Sequence, residues 1–286
     1  MGSAPRRLLL PCLLLLLLAA ACGQPLATPE PVFVQATGSM DVAPLVAELA
    51  AAYENEAPLV TIDVDDPGSA FGLQALRAGG ADVALLSWLP PGGEGSDGAW
   101  LLQPDWRATA IARDGLAIVV HPGNPLQGLG LLQLQDLFSG HAYEWASAGG
   151  PSAGAALAGL GEVQPVSREA GSGARAAFEA FVMGDREVTP RAALLLSLEA
   201  VVEYVAATPN AIGYVSMAQV TAEVKVLEVE GLLPTPETTA RGAYPLSREL
   251  WLVAAEPYPA AVQEFVDFCL SAAGQQIVGR RYGRIR

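Results

Sequence analysis

An α/β fold is predicted by two features of this sequence. Short apolar runs of strand length alternate with helix-period segments from residue 32 onward, and 286 residues with 51% hydrophobic content supply enough chain for two lobes or one large α/β unit. Thirty glycines without a Gly-X-Y period exclude a fibre, and 16% charged residues against that apolar content exclude a disordered chain.

Val42, Leu45, Val46, Leu49 and Tyr53 recur mainly at spacings of three and four, which predicts a helix after a strand-like start at residues 32–34. Residues 59–64 read as a strand, 70–78 as a short helix and 82–86 as a strand. A compact strand over 116–121 ends at the turn Pro122-Gly123-Asn124-Pro125. A short helix over 131–138 stops at Gly140, and the small-residue stretch 146–161 reads as a surface loop. A strand near 163–167 and helices near 174–183 and 190–207 follow, the longer one closed by Pro209. Strands at 211–216, 224–229 and 249–254 and a last helix over 260–278 complete the order. No internal repeat is found.

The N-terminus reads as an export signal. Arg6 and Arg7 precede an apolar stretch over residues 8–18, and Ala19-Ala20-Ala21 leads to Cys22. Eleven apolar positions are too few to span a bilayer, which takes about 20. The segment resembles a bacterial lipoprotein signal, cleaved before a cysteine that then carries lipid, although Ala19 stands where Leu is commoner. An ordinary secretory signal with Cys22 near the cut is the alternative. Removing residues 1–21 takes away two arginines and no acid, moving the formal net charge from -14 to -16. Cys12 leaves with the signal; if Cys22 carries lipid, Cys269 has no partner for an intrachain disulfide, and it reads as a small buried hydrophobe. Residues 22–31 carry three prolines and little apolar content, the composition of a tether.

A chain this acidic lacks the clustered basic surface that nucleic acid requires. With two His and three Cys, no metal site built from those residues is expected, nor any cofactor.

The most informative pattern is a strand, a Gly-Ser turn and a helix, occurring three times: Thr37-Gly38-Ser39-Met40, Pro67-Gly68-Ser69-Ala70 and Gly171-Ser172-Gly173-Ala174. The first turn of a helix leaves amide N–H groups unpaired and carries partial positive charge, so an anion gains hydrogen bonds there. Glycine permits close backbone approach, and serine adds a hydroxyl donor. Each turn alone also fits plain helix capping; three in one chain point to convergence on one small anion. Arg168, three residues before the third turn, either offers a bidentate guanidinium to an oxyanion or pairs with Glu169. Arg175 reads as a surface or supporting charge.

These turns, with Asp114-Gly115-Leu116-Ala117-Ile118-Val119-Val120, Leu134-Gln135-Asp136-Leu137-Phe138-Ser139-Gly140, Ala211-Ile212-Gly213-Tyr214-Val215 and Tyr244-Pro245-Leu246-Ser247-Arg248, give the chain a resemblance to the phosphate-type substrate-binding proteins of ABC importers. The resemblance covers nearly the whole chain after the signal. It implies a type II periplasmic-binding-protein fold, two α/β lobes on a hinge with an anion between them, divided as 32–115 and 247–286 for one lobe and 116–246 for the other. Carried over by position, the ligand-binding residues are Ser39, Met40 and Asp41 in the first loop, Ser69 in the second, Ser87 at a strand end, and Arg168, Ser172, Gly173 and Ala174 in the third. Met40 and Ala174 replace hydroxyl residues usual in the family, each a lost neutral hydrogen bond of about 0.5–1.5 kcal/mol.

Selectivity among such anions counts protons. Phosphate near neutral pH carries a hydrogen and needs an acceptor, whereas sulfate and molybdate carry none. Some relatives place Asp at the position of Ser87; here Asp41 either takes that role or complements a helix N-terminus. The implied function is a lipid-anchored, extracytoplasmic, monomeric binding protein, without catalytic residues, that captures phosphate or a similar oxyanion and delivers it to an importer permease. A lipid-anchored receptor for sensing or adhesion uses the same trap. A serine hydrolase is disfavoured because no Gly-x-Ser-x-Gly elbow is present and His121 and His141 read as turn residues. Asp63, Asp65 and Asp66 lack the spacing of a calcium loop.

Overall fold

The computed structural model of the protein describes residues 30–89, 102–148 and 157–285. The expected signal segment, Cys22 and most of the tether lie outside the described residues, as do residues 149–156 of the expected surface loop. Val32–Arg286 form one unit by their internal contacts.

Strand β1 (Val32–Gly38) lies parallel between β2 (Val60–Asp65) and β3 (Val83–Leu86), joined to them through helices α1 (Ala43–Glu56) and α2 (Ser69–Ala78). Pro44 sits in the first turn of α1, where its missing N–H costs nothing, and the apolar stripe Leu45, Val46, Leu49 and Tyr53 is buried. Gly79 ends α2 in the left-handed conformation that glycine adopts freely.

The next strand, β4 (Trp106–Val120), is 15 residues long and begins ten residues before the apolar run that predicted it. Arg107 and Arg113 obscure its first half in the sequence; both are satisfied across the ladder, by Glu256 and Glu249. After β4 come β5 (Gly128–Leu129), α3 (Leu131–Ser139), α4 (Trp145–Ala148) and β6 (Gln164–Arg168). Helix α5 (Gly173–Phe178) then runs into a π-helical turn over Glu179–Met183.

The helix expected over 190–207 is instead β7 (Ala193–Leu195) followed by α6 (Leu198–Ala207). Ser197 sets the boundary: its hydroxyl caps α6 by accepting from the Ala200 amide, and the leucines before it pair in parallel with β6. Strands β8 (Ala211–Ser216) and β9 (Lys225–Val229), the short helix α7 (Pro236–Ala240) and strand β10 (Ser247–Ala255) follow. The expected final helix is broken into α8 (Ala260–Leu270) and α9 (Ala272–Val278), because Ser271 is extended and caps α9 through the Gly274 amide.

The main sheet path runs β2-β1-β3-β10-β4-β8-β6-β7, with β9 beside β4 and β5 beside β9. β10 pairs antiparallel with the first part of β4 as far as Gly115, and β8 takes over from Leu116. One strand therefore serves both lobes. The first lobe's core gathers Leu45, Leu49, Leu252 and Phe265; the second gathers Phe138, Trp145, Phe178 and Tyr214, the last two rings stacked 4.3 Å apart. Cys269 is free and buried in the first core, and burial pushes its thiol pKa up.

Candidate functional site

Strand β1 delivers the first Gly-Ser turn to the edge of the lobe. A methyl group on Gly38 would lie 2.2 Å from the Leu85 carbonyl oxygen, so only glycine passes there. The Ser39 amide donates to that same oxygen at 2.8 Å, and the Gly68 amide donates to the Gly38 oxygen at 2.7 Å, stitching the second turn to the first. Ser39 Oγ donates to Ser87 Oγ at 2.8 Å and accepts from the Asp41 amide at 3.2 Å. Ser69, the first residue of α2, sets its Oγ 3.5 Å from the Ser87 amide. All three serines are buried.

The third turn comes from the other lobe and meets them. A methyl on Gly173 would lie 2.4 Å from Ser87 Oγ and 2.6 Å from Ser69 Oγ, while the Ala70 amide donates to the Gly171 oxygen at 3.3 Å. The three turns thus converge. Ser172 spends its hydroxyl as the cap of α5, accepting from the Arg175 amide. The amides of Gly173 and Ala174 lie in the first turn of α5, where no intrahelical acceptor exists. Ala174 packs in the second lobe's core.

Arg168 is buried at the end of β6, and both alternatives read from the sequence bear on it. Glu169 grips one edge of the guanidinium, with Nε and Nη2 donating to its two carboxylate oxygens at 2.8 and 2.9 Å. Nε and Nη2 also reach the Leu195 and Leu196 carbonyls, and Nη2 lies 3.4 Å from Met40 Sδ. None of these contacts uses Nη1. The bidentate edge is therefore taken by Glu169, and Nη2 stands beside Met40 of the first turn. Met40 is drawn across the lobes as well, its carbonyl accepting from Gln219 Nε2 at 3.2 Å.

Asp41 meets a partner that neither sequence reading named. Its Oδ2 pairs with Arg248 Nη2 at 2.9 Å, and the same guanidinium holds Asp114 Oδ2 at 2.8 and 3.1 Å. Ser216 Oγ donates to Asp114 Oδ1 at 2.8 Å. Burial raises the Asp114 carboxyl and the nearby Asp41 charge adds to it; the Arg248 charge and hydrogen bonds oppose them, and the carboxyl ends at about 6. Burial pulls the Arg248 pKa down, but the charges of Asp41 and Asp114 raise it by more. Among the described residues, Asp41 Oδ1, Arg248 Nη1 and Tyr282 Oη are buried without a hydrogen-bond partner.

Residues 23–273 match the PBP superfamily domain. The chain belongs to the PBP superfamily. Within this superfamily, a phosphate ABC transporter substrate-binding protein from Clostridium perfringens, solved with bound phosphate, superposes with a TM-score of 0.78 at 28% identity, covering 89% of this chain and 100% of that one. An ABC-type phosphate transport receptor from Vibrio cholerae superposes with a TM-score of 0.71 at 28% identity over 87% of this chain and 99% of its own. The phosphate-binding protein PstS 2 of Streptococcus pneumoniae is 35% identical over 138 residues, so the chain spans 47% of that relative's length, whereas PstS of Bacillus subtilis is 26% identical over 79% of its length. These relatives are named as binding proteins, not enzymes.

Several residues of this PBP chain escaped sequence reasoning. Arg248 and Asp114 lie on strands beside the charges Glu249 and Arg113, so the sequence does not single out the buried pair. Phe181 is not singled out either; the π-helical turn sets its ring 5.1 Å from Trp88, edge to face, beside Ser87. His121 and His141 serve local turns, bonded to the Gly123 amide and Ser139 Oγ. Asp65 accepts from Gln35 Nε2 at the end of β2.

Proposed function

We propose that this protein captures phosphate outside the cytoplasm and delivers it to the membrane subunits of an ABC importer. The observation that carries the reading is the convergence of Ser39, Ser69 and Ser87 on Gly173 from the opposite lobe, with Arg168 alongside. Hydroxyls, first-turn amides of α5 and the Arg168 guanidinium are the kind of donor set a small tetrahedral oxyanion takes, and water exclusion strengthens each bond. The phosphate-binding relatives support the same ligand. In this reading Ser39, Met40, Asp41, Ser69, Ser87, Arg168, Ser172, Gly173 and Ala174 surround the anion; Ser172, Met40 and Ala174 contribute backbone groups. Residues 32–115 and 247–286 act as one lobe and 116–246 as the other, closing on ligand by a hinge at β4 and β10. Cleavage before Cys22 and its lipidation anchor a monomer by the tether at residues 22–31.

Asp41 Oδ1, a buried acceptor with no donor among the described residues, suits an anion that brings its own proton. Asp41→Asn is expected to cut the phosphate-over-sulfate preference by at least ten-fold. Calorimetric titration with both anions measures it, and an unchanged ratio removes Asp41 from ligand contact.

The test of the function itself is a titration of the mature chain with phosphate, sulfate, molybdate and tungstate, followed by intrinsic fluorescence. Trp88 packs on Phe181 across the lobes, so closure changes its surroundings. Saturable emission change with phosphate, lost in Trp88→Phe while calorimetric binding persists, is the expected result. Silence toward phosphate in both emission and heat overturns the proposal.

A further inference from the structure

A continuous chain of buried hydrogen bonds links the second lobe to the first anion loop through the hinge. Ser216 at the end of β8 donates to Asp114 on β4; Asp114 holds Arg248 on β10; Arg248 holds Asp41; the Asp41 amide donates to Ser39 Oγ, which donates to Ser87 Oγ. Each residue named is at most 3% exposed. The two central groups sit where the sheet changes hands: Arg248 is directly opposite Asp114, one pair from the Ser247–Gly115 end of the β10 ladder, and Leu116 already pairs with Ser216.

We propose that Asp114 and Arg248 are positioning residues for anion capture, coupling the hinge to the Ser39–Asp41 loop so that the charge on Asp114 tunes ligand affinity. This rests on the phosphate reading above. With both carboxylates ionised the triad carries one net negative charge two side chains away from Ser39, opposing an incoming anion. Protonating Asp114 removes that charge and leaves the Asp41–Arg248 pair neutral, so anion binding strengthens. The groups facing Asp114 are Arg248 on β10, Asp41 in the first loop, Ser216 on β8, Tyr244 ahead of β10, and Tyr282 after α9. Neither tyrosine titrates below neutral pH, because burial pushes both hydroxyls up. Asp114, at about 6, changes charge between pH 5 and 7.5. Coupling is reciprocal, so bound anion must raise the Asp114 pKa in turn.

The experiment compares phosphate dissociation constants of the wild type and Asp114→Asn from pH 5 to 8. Taking their ratio at each pH cancels phosphate's own titration. Asparagine keeps an acceptor for Arg248 without the charge, so the variant is expected to match the wild type at pH 5 and bind at least five-fold tighter at pH 8. Should the variant not fold, carboxyl-carbon NMR of Asp114 in the wild type replaces it, and a midpoint raised by at least half a pH unit on adding phosphate is expected. A ratio independent of pH, or an unshifted midpoint with phosphate bound, overturns the coupling and leaves the phosphate assignment standing. Absence of phosphate binding in the wild type overturns both.

Discussion

Gly173→Ala is expected to weaken phosphate binding by at least a hundred-fold, about 2.7 kcal/mol at 25 °C, with the melting temperature held within a few degrees. The backbone at Gly173 opens α5 in a conformation alanine accepts, and alanine there lowers the entropy of the unfolded chain, so the fold itself has no reason to suffer. The clash falls between lobes. The added methyl would stand 2.4 Å from Ser87 Oγ and 2.6 Å from Ser69 Oγ, two buried groups held by backbone and by Ser39. Neither can retreat without opening the cluster, so the lobes must part and the donors on α5 leave the anion's reach. Calorimetry with phosphate alongside a thermal melt separates the two effects. Wild-type affinity in this variant would place the third turn outside any cage.

Arg248→Met is expected to destabilise the fold by about 3–5 kcal/mol at neutral pH, the range for leaving buried charges without their partner. At this chain length that lowers the melting temperature by about 10 °C. Asp41 and Asp114 would face each other with no cation, and Arg248 itself is 3% exposed, so water cannot readily replace it. The pH dependence follows from Asp114. Its folded carboxyl titrates at about 6, above the ordinary value near 3.9, so between these the folded chain holds a proton that the unfolded chain has lost. This group therefore favours folding in acid, and its contribution fades as pH rises from about 4 through about 6. Without Arg248 that carboxyl moves higher still, and the variant should regain stability relative to wild type between pH 7 and pH 5. Melts across that range check the sign; a deficit that grows in acid contradicts the triad as described.

The fold was legible where local chemistry and tertiary need agreed. Leu45, Val46, Leu49 and Tyr53 announce α1 because the same stripe that favours a helix also fills the first core. The glycines at 38 and 173 mark close approach, which the structure assigns to Leu85 and to the serines Ser69 and Ser87, whereas Gly68 serves through its positive φ. What stayed hidden depends on partners distant in sequence. Arg107 and Arg113 disguise half of β4 until Glu256, just after β10, and Glu249 on β10 meet them. Leu194 and Leu195 look helical until β6 offers a parallel edge. Asp41 reads as a cap or a proton acceptor because nothing nearby in the chain hints at an arginine over two hundred positions later.

The central claim is that the three Gly-Ser turns close on one anion. A crystal structure of the mature chain grown with phosphate tests it most directly. The account predicts a tetrahedral anion between the lobes, within hydrogen-bond distance of Ser39, Ser69 or Ser87 hydroxyls, of Arg168 Nη1, and of the Gly173 or Ala174 amides. Phosphate bound elsewhere, or lobes closed in its presence with the serine cluster unoccupied, would contradict it.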